Sequence, residues 1–171
     1  MGGCPLDARS SFDLDAYTRR AQDGPCFVCE LVRGNLEYRH ALIYEDLEHI
    51  AFLDKYPTLV GRTIVAPKRH VEHVIGDLSH NEFQRLMSIV YRVGRAIQAA
   101  CEPERMYLVS LGSQAGNSHL HWHLAPLPPG TPYQQQQYYA LMAEHGILVQ
   151  SREEQEAWAA RIREFLERPM S

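Results

Sequence analysis

The run His119-Leu120-His121-Trp122-His123 concentrates three imidazoles within five residues. Successive side chains of an extended strand point to opposite faces, so the three histidines would share one face and Leu120 and Trp122 the other. Imidazole is a nucleophile, a proton carrier near neutral pH and a metal ligand. Folding alone asks for no such face. A solvated strand face or a bare metal clip would carry the same pattern, and the residues upstream weigh against both. Gly112-Ser113-Gln114-Ala115-Gly116-Asn117-Ser118 is rich in small residues and short donors. Glycines let a backbone approach a ligand closely, and exposed backbone N–H groups can cradle an anion. A donor-rich turn feeding a nucleophilic strand suits a phosphate better than a bare metal. Before the turn, residues 106–111 (Met-Tyr-Leu-Val-Ser-Leu) read as a buried strand. The unit is then a hairpin with its chemistry at the turn-proximal end.

A second chemical pattern is Cys26-Phe27-Val28-Cys29. Three readings compete for it. A redox dithiol should open a helix after a strand, and that context is not evident. Two unrelated buried thiols and a zinc half-site remain. Two thiolates so spaced can grip one tetrahedral ion, which then needs two more ligands. His70, His73, His119 and other histidines are available, and spacing alone does not choose among them.

The elements that must position these residues follow from periodicity and punctuation. Residues 1–24 are polar and mixed, an N-terminal extension with a short helix near 13–22. Apolar runs at 41–44 and 49–53 read as strands separated by Glu45-Asp46-Leu47-Glu48, and 63–66 is a third, bounded by Gly61 and Pro67. Ser79 and Glu82 have capping-box spacing and open a helix over 79–100, whose stripe Phe83, Leu86, Met87, Val90, Val93, Ile97 is core contact. Residues 126–132 (Pro-Leu-Pro-Pro-Gly-Thr-Pro) cannot be regular structure and form a stiff loop. Gln134 to Gln137 would start a helix with Tyr138, Tyr139, Leu141 and Met142. Ser151 and Glu154 make a second capping box, leading a terminal helix with Trp158, Ile162 and Phe165 inside and Arg152, Glu153, Arg161, Arg163 and Glu164 solvated.

Composition bounds the function. The 171 residues suffice for one domain with a real core, and 45% apolar and 22% charged content is ordinary for a soluble globular protein. A formal net charge of -4 argues against nonspecific nucleic-acid binding. No apolar stretch approaches the roughly 20 residues that span a bilayer. The first residues show no basic region followed by an apolar run, and with four cysteines this favours a reducing, cytoplasmic setting where thiols bind metal or stay free.

With these residues in hand, the chain resembles the histidine-triad (HIT) superfamily of nucleotidyl hydrolases and transferases. His119-Leu120-His121-Trp122-His123-Leu124-Ala125 fits its pattern of three alternating histidines followed by apolar positions. Tyr44-Glu45-Asp46, Ala51-Phe52-Leu53-Asp54, Tyr56-Pro57 and the stretch from Gly61 to Pro67-Lys68-Arg69-His70 follow its order and spacing. The resemblance covers roughly residues 26–126. It implies an α+β fold: an antiparallel sheet of about five strands with the long helix packed on it; the extra C-terminal helices read from the residues lie outside it. The domain division is 1–24 extension, 25–130 HIT core and 131–171 C-terminal helical extension.

The resemblance also implies roles. His121 is similar to the nucleophile that attacks an α-phosphorus. His123 is similar to a phosphate-binding, proton-donating neighbour, and His119 to a residue that orients the site or ligates zinc. The implied ligand set for one structural zinc is Cys26, Cys29, His70 and His119. Asp54 matches an acceptor for ribose hydroxyls, Phe52 and Leu53 would line the base pocket, and Asn117 and Ser118 match phosphate contacts. A homodimer is implied as well, and no catalytic metal is demanded. The turn before the triad is about two residues shorter than in the adenosine phosphoramidase branch, and Asn117 replaces its usual glutamine. Leu120 stands where sugar-1-phosphate uridylyltransferases have proline. Arg62 replaces a common histidine, with no function attached. The leading expectation is an enzyme cleaving a nucleoside phosphoramidate or dinucleoside polyphosphate through a nucleotidyl-histidine. The competing one is a non-catalytic, zinc-stabilised nucleotide-binding interaction protein. The intact His121 favours the enzyme.

Overall fold

Five short runs rich in β-branched and apolar residues pair into one antiparallel sheet. They are β1 (Leu42–Glu45), β2 (His49–Leu53), β3 (Thr63–Pro67), β4 (Arg105–Val109) and β5 (Trp122–Leu127), in the order β1-β2-β3-β5-β4. The computed structural model describes residues 9–168, so the leader reading of the first residues lies outside the described part. Every residue of β2 and β3 is buried, which happens when both faces of a sheet are covered. On one face Ala51, Leu53, Val65 and Leu124 pack against Leu86, Val90, Val93 and Ile97 of α3 (His80–Cys101). Ala159 and Ile162 of α5 (Arg152–Leu166) complete that layer. On the other face Ile50, Phe52, Ile64 and Ala66 meet Val28 of α2 (Phe27–Val32). The second face carries the site. The expected α+β fold, with five strands, a long helix and a C-terminal helix, is the one observed.

Local chemistry sets the helix ends. Ser79 Oγ accepts from Glu82 N–H while Glu82 Oε2 accepts from Ser79 N–H at 2.8 Å, a reciprocal cap that satisfies two otherwise orphaned donors. Ser151 and Glu154 repeat it on α5. The short N-terminal helix is α1 (Leu14–Asp23), started by Asp13 accepting from Ala16 N–H at 2.8 Å.

Six expectations need correction. The strand expected buried over 106–111 ends at Val109, and its residues are half-buried or exposed at the sheet edge. The ladder of β5 begins at Trp122, so only His123 of the triad is inside the paired strand. His119 to His121 continue the chain with Leu120 N–H bonded to Val71 O at 2.6 Å and Ser110 Oγ donating to His121 O at 2.9 Å. Pro126 is in β5 rather than in a loop: β3 pairs no further along β5 than Leu124, so no β3 partner is asked of the missing N–H. The helix expected from Gln134 is broken into a 3₁₀ turn (Tyr133–Gln135) and α4 (Tyr138–Leu141). Between them Gln137 has φ 56° and gives its N–H to Tyr107 Oη, so a tertiary contact overrides helix propensity. Arg163 is half-buried rather than solvated, donating to Leu42 O. Cys26 and Cys29 are free thiols, whereas Cys101 at the end of α3 takes part in a disulfide. The expectation of free or metal-binding thiols therefore fits only the first pair among the described cysteines.

Candidate active site and metal cluster

His121 lies just ahead of β5, 4% exposed, with its Nδ1 2.7 Å from His119 O. A carbonyl only accepts, so Nδ1 carries the proton and Nε2 of the neutral ring keeps its lone pair. Burial pushes the imidazole below its usual 6.5, and the His119 carbonyl opposes this only in part. The ring is edge-on to Phe27, and its centroid is 4.8 Å from that of His123. It lines a cavity of about 390 Å³ together with His123, Asp54, Asn117 and Arg62.

His123 is 8% exposed, and burial together with the positive charge of Arg62 holds its pKa well below 6.5. Arg62 Nη2 is 3.2 Å from His123 Nδ1. Its Nη1 donates to Thr58 Oγ1 at 2.8 Å and Leu141 O at 2.7 Å. Its Nε forms an ion pair with Asp54 Oδ2 at 3.1 Å. Asp54 Oδ1 accepts from Tyr56 N–H at 3.0 Å. A carboxylate has about four acceptor sites, so these contacts leave Asp54 capacity for a ligand hydroxyl.

Several expected ligand contacts sit elsewhere. Phe52 and Leu53 do not line the cavity. Phe52 is fully buried behind Phe27 and His40, and strand alternation sends Leu53 into the α3 layer. Phe27, Tyr38, His40 and Ile64 form the apolar wall instead. Ser118 Oγ donates to Glu72 Oε1 at 2.9 Å and, with Gly112, Ser113 and Gln114 of the turn, lines a second cavity of about 380 Å³ that His121 lines as well. Of the turn, only Asn117 reaches the cavity shared by His121 and His123.

Sequence reasoning missed three contributors. Arg62 was visible as a charge at the head of an apolar run, which is costly unless paired. Tyr17 and Arg20 of α1 and Leu141 and Met142 of the C-terminal segment line the same cavity. Nothing local in the sequence marks them, because only the tertiary fold brings them there. Asn117 Nδ2 donates to Tyr17 Oη at 2.8 Å, tying α1 to the turn.

The implied metal ligands do converge. The ligand atoms of Cys26, Cys29, His70 and His119 all lie within 4.8 Å of one another. His119 Nδ1 is 3.3 Å from Cys26 Sγ and 3.6 Å from Cys29 Sγ, and His70 Nδ1 is 3.4 Å from Cys29 Sγ. Tetrahedral zinc with ordinary bond lengths requires sulfur–nitrogen separations of about 3.5 Å. Each ring also has its far nitrogen engaged, His119 Nε2 by Pro67 O at 2.8 Å and His70 Nε2 by Glu72 Oε1 at 3.4 Å. That is the outer shell which aims an imidazole at a metal. Left to itself the Cys29 thiol resists the liganding state: burial and Cys26 push it up to about 11. A divalent cation supplies the missing charge. The donor set fits zinc.

The sheet and the histidine run fall within a match to a known family. Residues 35–129 match the model of the HIT domain, and the chain belongs to that family. "Protein hit" of Bacillus subtilis is 32% identical over 104 residues, 60% of this chain and 70% of that protein. Among solved structures, a hypothetical histidine triad nucleotide-binding protein of Sulfolobus tokodaii superposes with a TM-score of 0.66 at 28% identity, over 83% of this chain and 92% of its own. A zinc-bound histidine triad family protein of Mycobacterium smegmatis gives 0.65 at 21% identity over 82% and 92%, a likeness of fold. Cys26, Cys29, α1 and α5 lie outside the matched domain.

Proposed function

We propose that this chain is a nucleotidyl hydrolase or transferase acting at the α-phosphate of a nucleotide conjugate, a nucleoside phosphoramidate or a dinucleoside polyphosphate. The observation that carries this reading is the 2.7 Å bond to His119 O that keeps the proton of His121 on Nδ1 and leaves Nε2 with its lone pair beside Asp54 and His123. A desolvated neutral imidazole attacks phosphorus well and leaves readily, so one hard step becomes two easier ones. In the first, an N–P bond forms at His121 Nε2 as the bond to the leaving group breaks; His123 Nε2–H donates a hydrogen bond to the departing atom, and solvent supplies the proton it finally takes. In the second, water or phosphate attacks the phosphorus and the N–P bond breaks. Asn117 and His123 hold the phosphoryl oxygens, Asp54 accepts from the ribose, and the base lies against Phe27 and Ile64.

We assign Cys26, Cys29, His70 and His119 to one structural zinc, which would supply charge to the two thiolates and fix α2 against the sheet. We read the protein as a cytoplasmic homodimer with a nucleotide ligand. A monomer mass by light scattering at micromolar concentration would refute the dimer. For the activity, the protein is incubated with a nucleoside phosphoramidate and with a dinucleoside tetraphosphate, each with and without phosphate. Release of the nucleoside monophosphate or its phosphorylated product is expected, and His121→Ala should abolish it. Nucleotide binding without turnover of either substrate would replace the enzyme by the non-catalytic, zinc-stabilised binding protein.

A further inference from the structure

We infer that Arg62 is the positioning residue for His123: its guanidinium fixes the imidazole proton on Nε2 and so makes the cavity-lining ring a hydrogen-bond donor. The inference rests on the role given to His123 above, and it concerns a side chain with no assigned function. A guanidinium has donors only. Its Nη2 sits 3.2 Å from His123 Nδ1, so Nδ1 must present a lone pair, and the single proton of the neutral ring is then on Nε2.

Arg62 cannot turn away from this contact. Its side chain is 8% exposed, Thr58 Oγ1 and Leu141 O hold Nη1 at 2.8 and 2.7 Å, and Nε lies 3.1 Å from Asp54 Oδ2 as an ion pair without hydrogen-bond geometry. The alternative partner makes the point sharper. Asp54 Oδ2 lies 3.9 Å from the same His123 Nδ1. Without Arg62, that carboxylate is the nearest strong acceptor and draws the proton to Nδ1. Nε2 would then present a lone pair to the cavity, and a lone pair repels phosphoryl and leaving-group oxygens. Arg62 stands between the two groups, neutralises the carboxylate and selects the opposite tautomer. His121 and His123 then face one ligand in complementary states, one ring with a bare Nε2 and the other with Nε2–H.

The first test needs no variant. Nitrogen-15 spectra of the imidazoles in the wild-type protein near neutral pH, with His123 assigned by comparison with His123→Gln, should show Nε2 protonated and Nδ1 bare. The reverse assignment overturns the inference. Kinetically, Arg62→Met should lower kcat by about 10²-fold, the lower end of what a positioned proton donor contributes, with a smaller change in KM. In a His123→Ala background the same substitution should add little, because both changes act through one ring. Full additivity of the two losses overturns the inference. Arg62→Lys keeps the charge and one donor and should recover part of kcat, and it serves if Arg62→Met fails to fold. A protein inactive on both substrates but with Nε2 of His123 protonated supports the tautomer assignment and overturns the enzymatic reading. An active protein with the opposite tautomer overturns this inference alone.

Discussion

Side by side, His121 and His123 are both desolvated imidazoles, yet different neighbours give them different work. Replacing His121 by Ala removes the only bare ring nitrogen assigned to attack. Turnover should fall by about 10³-fold or more in kcat while nucleotide affinity, read by calorimetry, changes little. His123→Ala should cost less, since it removes one donor and leaves the nucleophile. A third, half-buried ring adds to the pH sensitivity. Burial pushes His40 below its usual 6.5, and its Nδ1–H donates to Leu53 O at 3.2 Å. The unfolded chain protonates this histidine near 6.5 and the folded chain only at lower pH. Its contribution to stability is therefore complete above that value and lost as pH falls. Between about pH 7.5 and 5.5 the wild-type Tm should drop more than that of His40→Gln, measured by thermal unfolding in matched buffers. At this scale the sequence exposed residue types, not partners. Asp54, Asn117 and His123, which the resemblance to the family singled out, line one cavity. The partners of Arg62 were opaque, because His123 and Leu141 are 61 and 79 positions away.

Among the elements, α3 is the most local in origin, and it was legible to within a residue for that reason. Its cap is a three-residue signal and its stripe a simple period. Ser79→Ala should destabilise by about 1 kcal/mol in urea unfolding, since it orphans a helix N-terminal donor. Gly94 in the same helix offers the opposite effect. A Cβ there would meet Leu124 Cδ2 at 3.6 Å, an ordinary contact with β5. Gly94→Ala should therefore stabilise by about 0.5–1 kcal/mol through helix propensity. A loss of stability would mean that α3 and β5 are packed too tightly for one methyl group. The start of β5 and the break at Gln137 were not legible, because strand pairing with β3 and the hydroxyl of Tyr107 decide them. Proline in β5 misled for a related reason: its cost depends on whether a partner strand stands opposite, which no local pattern tells.

Across the whole molecule, the cluster of Cys26, Cys29, His70 and His119 ties together segments from before β1, after β3 and before β5. Purified without chelator, the protein should hold about one zinc per chain, and a strong chelator should lower Tm more than it lowers the kcat of the molecules still folded. Absence of zinc by elemental analysis would refute the ligand assignment.

The N-terminal helix has a different standing. It supplies Tyr17, Arg20 and Ala21 to the cavity, yet none of its residues is fully buried. Its attachments are the Asn117–Tyr17 hydrogen bond, the edge-on meeting of Tyr17 with Tyr56, Arg20 over the Tyr56 ring and, ahead of the helix, the backbone bridge between Ser10 and Ile147. A helix held by surface contacts with no fully buried residue opens locally more often than the molecule unfolds. Amide hydrogens of α1 should thus exchange with deuterium well before those of α3, at a rate insensitive to low denaturant, and a bound nucleotide should slow them. Exchange of α1 only through global unfolding would make the helix a fixed wall. If it opens as expected, the frequency of that opening is a ceiling on how fast any ligand entering past α1 can be turned over.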